Sequence, residues 1–164
     1  MPYAIINPYA FAPPIAPHLA AEQAQKPIEL TKIIEAYQQL STVAEVIIVE
    51  GVGGWRVPID RQHSLKDLVL ALDIPVILVV GLRLGCINHA LLTAETIIGD
   101  GCPLIGWIAN TLTAEFETQA VIQTLRERLP APFLAEMPYL PYQDIAQLAQ
   151  ALEVAVTPLI QSNQ

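Results

Sequence analysis

Residues 75–110 read PVILVVGLRLGCINHALLTAETIIGDGCPLIGWIAN, and the alternation of textures along this stretch decides the fold. Pro75-Val-Ile-Leu-Val-Val80 is a continuous β-branched run, as expected of a strand with no solvent-facing side. Residues 86–99 predict a helix that stops near Gly99 and Gly101, the usual glycine ending. Pro103 to Ala109 is apolar again and predicts a second strand of the same kind. A strand, a helix and a strand of these lengths make a parallel crossover unit, because parallel neighbours cannot be joined by a tight turn.

Working outward, the pattern repeats. Residues 115–129 predict an amphipathic helix, Pro132 to Glu136 another strand, and about 143–153 a final helix. On the other side, Ser64 with Asp67 resembles a capping box that opens a short helix reaching about Leu72. Glu45-Val-Ile-Ile-Val-Glu50 predicts a further strand buried on both faces. Leu30, Ile33, Ile34, Tyr37 and Leu40 recur at helical spacing within residues 29–41. Six of the fourteen prolines fall at positions 2, 8, 13, 14, 17 and 27. Residues 1–28 are therefore expected to be an irregular, Pro-rich lead-in with at most one short helix. The expected architecture is a single α/β domain over 1–164, a mostly parallel sheet with helices on both faces. Ligands of such sheets bind beyond the carboxyl ends of the strands.

Composition narrows the function classes. Hydrophobic residues make up 53% and charged residues 15% of the 164, so a sizeable core is expected rather than disorder. Sixteen acidic against eight basic residues leave a formal charge of -8. That argues against nucleic acid as partner, since clustered cations are needed to displace counterions. Cys86 and Cys102 are too few for a disulfide framework or a four-cysteine zinc site. No apolar run is long enough to span a bilayer, and the first 25 residues hold no Lys or Arg. A cytoplasmic protein handling small molecules is the expectation.

Four groups stand at strand ends. Glu50 closes an apolar run and leads into Gly51, Val52, Gly53 and Gly54. An acid there can hold Mg²⁺ while glycines let the backbone approach phosphates, or it is a solvated carboxylate before a tight turn. A dinucleotide fingerprint is excluded by Arg56 and Pro58, which stand where the third glycine and the helix should be. Leu84 and Gly85 lead into a helix starting near Cys86, whose free amides, with Asn88 in the first turn, suit a carboxylate or phosphate. Cys86 reads as a small buried residue rather than a nucleophile, and His89 as structural. Asn110 can donate and accept at once, which suits an adenine edge, though asparagine also serves turns. Tyr139, after Pro138, lies against a base or covers the sheet edge. Trp55 and Trp107 read as packing residues.

Together these segments resemble the ATP-dependent dethiobiotin synthetases, penultimate enzymes of biotin synthesis. The likeness rests on Asn7-Pro-Tyr-Ala-Phe11 with Pro17-His18, on Val49-Glu-Gly-Val-Gly-Gly-Trp55 and on Pro75-Val-Ile-Leu-Val-Val-Gly81. It rests further on Leu84-Gly-Cys-Ile-Asn-His89 and Gly106-Trp-Ile-Ala-Asn110, and extends over almost the whole chain. The resemblance implies a homodimeric, P-loop NTPase-like protein. Its reaction converts 7,8-diaminononanoate, CO₂ and ATP into dethiobiotin, ADP and phosphate with Mg²⁺. It implies Glu50 as a Mg²⁺ ligand, with Glu50, Gly51, Val52 and Gly53 along the ATP phosphates. Asn110, Thr111, Pro138, Tyr139 and Leu140 would form the base pocket. Leu84, Gly85, Cys86 and Asn88 would hold the substrate carboxylate at the dimer interface.

The family opens with a Walker A loop and carries a catalytic lysine that this sequence does not contain: no Gly-Lys-Thr or Gly-Lys-Ser occurs in it. The expectation is a chain lacking the N-terminal Walker A unit, with no catalytic residue of its own and no turnover in this form. The alternative is a shortened, non-catalytic paralogue that binds a carboxylate or pairs with a full-length partner. Thr111 also departs from the family, where an acidic residue often follows the asparagine.

Overall fold

In a computed structural model the protein is described over residues 1–141 and 145–161, and it forms two compact units, Met1–Ile74 and Pro75–Gln164. In the first unit, α1 (Tyr3–Ile6) and α2 (Pro17–Gln23) precede α3 (Leu30–Ser41) and α4 (Leu65–Leu72). Pro17 sits at the first helical turn of α2, where its missing N–H costs no hydrogen bond. Ala21, Ile28, Ile59, Leu68 and Leu72 make the buried centre, with Tyr9, Phe11 and Tyr37 packed against it. The expectation of an irregular lead-in over 1–28 is thus corrected. Two short helices lie there, and Ala20 and Ala21 are buried. Pro spacing marks where helices cannot continue, but small alanines between prolines still bury.

The expected helix over 29–41 is α3, and α4 begins at the expected capping box. The Asp67 carboxylate accepts the Ser64 N–H at 2.7 Å and its hydroxyl at 2.8 Å, while the Asp67 N–H returns to the Ser64 carbonyl at 3.0 Å. These donors, the backbone one foremost, hold Asp67 below the ordinary value of 3.8. A second correction falls on Glu45–Glu50. This segment forms no strand; Ile48 is 83% and Val46 47% exposed. A strand's ladder hydrogen bonds are made to a neighbouring strand, so an apolar run becomes one only where a neighbour accepts it. Among the described residues none does.

The second unit is the predicted crossover fold. The strands β1 (Val76–Leu82), β2 (Leu104–Thr111) and β3 (Phe133–Met137) form one parallel sheet in the order β1-β2-β3. Helices α5 (Cys86–Gly99), α6 (Thr118–Arg128) and α7 (Ile145–Gln161) surround it. The final helix, expected over about 143–153, runs on to Gln161, and residues 143 and 144 of the expected span lie outside the described residues. Central strand β2 is buried from Gly106 to Ala109. Trp107 and Ala109 face Val80, Leu82, Ala94 and Leu125 in the main core. Trp107 meets Phe133 edge-on with centroids 4.8 Å apart, and Arg126 lies over the other ring at 4.1 Å. A Cβ at Gly106 would stand 2.6 Å from Leu134 Cγ, so only glycine lets β3's side chain pass. The reading of β1 as buried throughout is corrected too: it is an edge strand of the sheet, and Val79 is 58% exposed.

Two outcomes follow from these contacts. Asp67→Ala costs the first unit about 1 kcal/mol, the usual worth of a helix cap. Because the folded Asp67 has the lower pKa, its contribution is complete above 3.8 and fades as pH falls through the folded value. Urea titrations at neutral and acid pH should therefore show the wild-type advantage over Asp67→Asn shrinking in acid. The second outcome concerns Ile48 and Val79. Apolar side chains bared this far drive self-association, so Ile48→Lys should raise the concentration at which light scattering detects assemblies. An unchanged threshold would show that this segment is not the sticky one.

Candidate functional site

The carboxyl ends of the three strands are level with one another. Gly81 on β1 pairs with Asn110 on β2, and Asn110 pairs with Met137 on β3. Everything the sheet presents to a ligand in the second unit leaves from this row. β1 continues through Arg83 and Leu84 to Gly85, which takes the left-handed conformation (φ 88°) and opens α5. No side chain caps this helix start. The Cys86 N–H turns back to the Arg83 carbonyl at 3.0 Å, which leaves the amides of Ile87 and Asn88 as the orphan donors of this helix start, at the positive end of its dipole.

Against this helix start lies a cleft of about 600 Å³. Leu78, Val80 and Leu112 give it apolar walls, and Gly85, Cys86 and His89 line it from the helix. Of the expected carboxylate-holding residues, Leu84, Gly85 and Cys86 are brought together here, with Leu84 95% exposed. Asn88 does not line the cleft; it stands exposed on the first turn of α5. Three polar lining residues were not singled out as ligand-facing from the sequence: Arg83, His89 and Thr93. Arg83 was the findable one, being the sole cation between Gly81 and His89. Cys86 is buried, consistent with a packing role. The arrangement suits a ligand with an apolar chain and one anionic end.

On the far side of β2, Asn110 and Thr111 are half-buried, and the Thr111 hydroxyl is buried without a partner among the described residues. Pro138, Tyr139 and Leu140 follow β3 directly, with the Tyr139 ring 42% exposed. Strand pairing thus brings Asn110 beside the start of that segment.

Glu50, Gly51, Val52 and Gly53 belong to the first unit. Glu50 is exposed at the end of the apolar run. Gly51 packs against Leu65, where a Cβ would come within 2.6 Å of Cδ2, and Gly53 is left-handed (φ 81°). The glycines therefore have a packing and turn role whatever else they do. Among the described residues no three His, Cys, Asp or Glu side chains gather as a metal cage. Mg²⁺ needs none, because it is commonly held by one or two carboxylates plus substrate phosphates. An exposed carboxylate such as Glu50 fits that donor role.

The clear electrostatic shifts lie elsewhere. Burial alone would raise Asp60, but the His63 ring and the N–H groups of Gln62 and His63 bring it below the ordinary value. Its contacts with His63 run at 2.7–3.1 Å, within a turn. Such a shift marks local architecture rather than chemistry.

Known proteins resemble this chain over most of its length. A family model for an AAA domain matches residues 1–147. The chain is 48% identical over 153 residues to an ATP-dependent dethiobiotin synthetase BioD of Xanthomonas axonopodis pv. citri, covering 93% of this chain and 68% of that protein. Proteins of the same name from Aeromonas salmonicida and Pseudomonas aeruginosa are 46% and 48% identical, over 94% and 93% of this chain and 70% and 68% of theirs.

The burial of both thiols is directly checkable. Cys86 and Cys102 should react with a thiol reagent only as fast as the protein opens, and rapidly in denaturant. One fast-reacting thiol in the native protein that disappears in Cys86→Ser would mean that Cys86 is open to the cleft.

Proposed function

The chain belongs to the ATP-dependent dethiobiotin synthetases, a ligase family of biotin biosynthesis, and on that premise we propose the reaction its residues serve. An amine of 7,8-diaminononanoate takes up CO₂ as a carbamate, and a carbamate oxygen receives the γ-phosphoryl of ATP. The second amine then attacks the carbamate carbon, phosphate leaves, and the cyclic urea of dethiobiotin closes. Such a transfer depends on position and on charge around the phosphates rather than on covalent help from the protein.

The cleft at the start of α5 is the observation that supports this reading best. Its apolar walls match the substrate's chain, and the two free amides that follow Cys86 match its carboxylate. Leu84, Gly85 and Cys86 would line that end, with Asn88 at its rim and Arg83 adding a cation. Asn110 and Thr111 would read the adenine edge, with Pro138, Tyr139 and Leu140 against its face. Glu50 would ligate Mg²⁺, with Gly51 to Gly53 near the phosphates. Bound Mg²⁺ would offset the negative charge of the phosphates. A cytoplasmic homodimer is the assembly proposed. Among the described residues no helix is long and apolar enough to cross a membrane.

Residues 1–164 hold no phosphate loop with its lysine. They are proposed to bind the substrate acid without turning it over alone. Calorimetry with 7,8-diaminononanoate, beside a turnover assay with ATP, Mg²⁺ and bicarbonate, tests both parts. Gly85→Asn tolerates the left-handed backbone, so it controls for strain in the isosteric Gly85→Asp. The charged variant should bind the acid about tenfold more weakly than the neutral one, a 1.4 kcal/mol effect of like charge at a helix start. Equal binding by the two variants would remove the carboxylate from this end of α5. Dethiobiotin formed by residues 1–164 alone would show that the phosphate loop is dispensable.

A further inference from the structure

Glu136 stands near the end of β3, level with Ala109 and two residues before Pro138. It is half-buried, and its carboxylate turns to α6 rather than to a basic partner. Oε2 accepts the Gln119 side-chain amide at 3.2 Å, and Oε1 accepts the Thr118 hydroxyl more weakly at 3.4 Å. Thr118 and Gln119 are the first two residues of α6, and the loop before them begins where β2 ends, just after Thr111. The contacts therefore close a ring. Asn110 and Thr111 lead through residues 112–117 to the start of α6, Glu136 clasps that start, and β3 then delivers Pro138 to Leu140.

Besides this clasp the loop from 112 to 117 is held by two side chains, Phe116 against the main core and Leu112 over Gly81. Leu112, Thr113, Ala114, Glu115 and Glu117 are all exposed, with only Phe116 half-buried. The backbone pairing of Asn110 with Met137 sets the height of the two segments. It leaves the loop after one and the strand end after the other free to diverge. We propose that Glu136 is a positioning residue that keeps these two halves of the base pocket at a fixed separation, by tying the start of α6 to β3. The inference rests on the base-pocket reading above. Two donors from adjacent residues on the two oxygens of one carboxyl group restrain direction as well as distance.

The test compares Glu136→Ala, Glu136→Gln and Gln119→Ala with the unsubstituted protein. Gln119→Ala removes a clasp bond from an exposed helical position, so it carries little risk to folding. Amide hydrogen exchange should quicken in residues 111–119 and 137–140 together, while β1 and α5 keep their protection. Affinity for adenosine and for ATP should fall about three- to tenfold in Glu136→Ala, the range for losing ordinary hydrogen bonds. Glu136→Gln, which keeps one acceptor oxygen, should recover part of it. Affinity for 7,8-diaminononanoate should fall by less than that for adenosine and ATP, since of the loosened loop only Leu112 lines its cleft. Faster exchange throughout the sheet would make Glu136 a plain stability residue and overturn the proposal. So would local loosening with unaltered nucleotide affinity. If the unsubstituted protein binds neither adenosine nor ATP, the base-pocket reading falls and the role of Glu136 with it, a failure visible before any variant is made.

Discussion

The parallel pairing of β1 with β2 is the constraint on which the second unit depends. Parallel strands cannot turn back on themselves, so a helix must cross the sheet between them, and α5 is that helix. Its start is then compelled to lie at the carboxyl end of β1, and its free amides face whatever gathers there. Pairing on β2's other side adds β3 at the same level. Gly81, Asn110 and Met137 consequently form one row. The cleft and the segment after β3 both depart from it. No side chain needs to specify this alignment, because backbone register alone sets it.

Packing then decides how firmly the row is held. The sheet's middle is filled by Trp107, with no exposed surface, against Phe133, Leu125 and Ala94. A cation over Phe133 and a glycine at 106 that admits Leu134 complete the fit. Cores this dense respond to small volume changes, so the strand ends inherit the rigidity of the centre. The first unit is organised differently. It has no sheet, and its order comes from helix packing, a capping box and the Asp60 turn.

The contrast between two apolar runs shows how far sequence reading reaches. Pro75–Val80 and Glu45–Glu50 look alike in composition, and both predicted strands. Only the first found a neighbour, and even that one keeps an open edge with Val79 exposed. Helices behaved otherwise. The spans expected at 29–41 and 86–99 are α3 and α5 almost to the residue, since a helix satisfies its own backbone within its own span.

The sequence by itself determined the element order of the second unit, the spans of α3 and α5, the capping of α4 and the positions of Gly85 and Asn110. These follow from local rules: glycine for a left-handed turn, reciprocal bonds across one helical turn, and continuous apolar runs for strands with helices between them. Tertiary structure alone decided that Glu45–Glu50 stands unpaired, that Arg83, His89 and Thr93 share a cleft with Gly85, and that Glu136 reaches α6 instead of solvent. Each of these depends on which distant segment arrives alongside. A strand's partner, a cleft's wall and a carboxylate's donor are all supplied by residues that periodicity cannot reach. Local hydrogen bonding is written in neighbouring residues; non-local hydrogen bonding is settled only when the chain closes on itself.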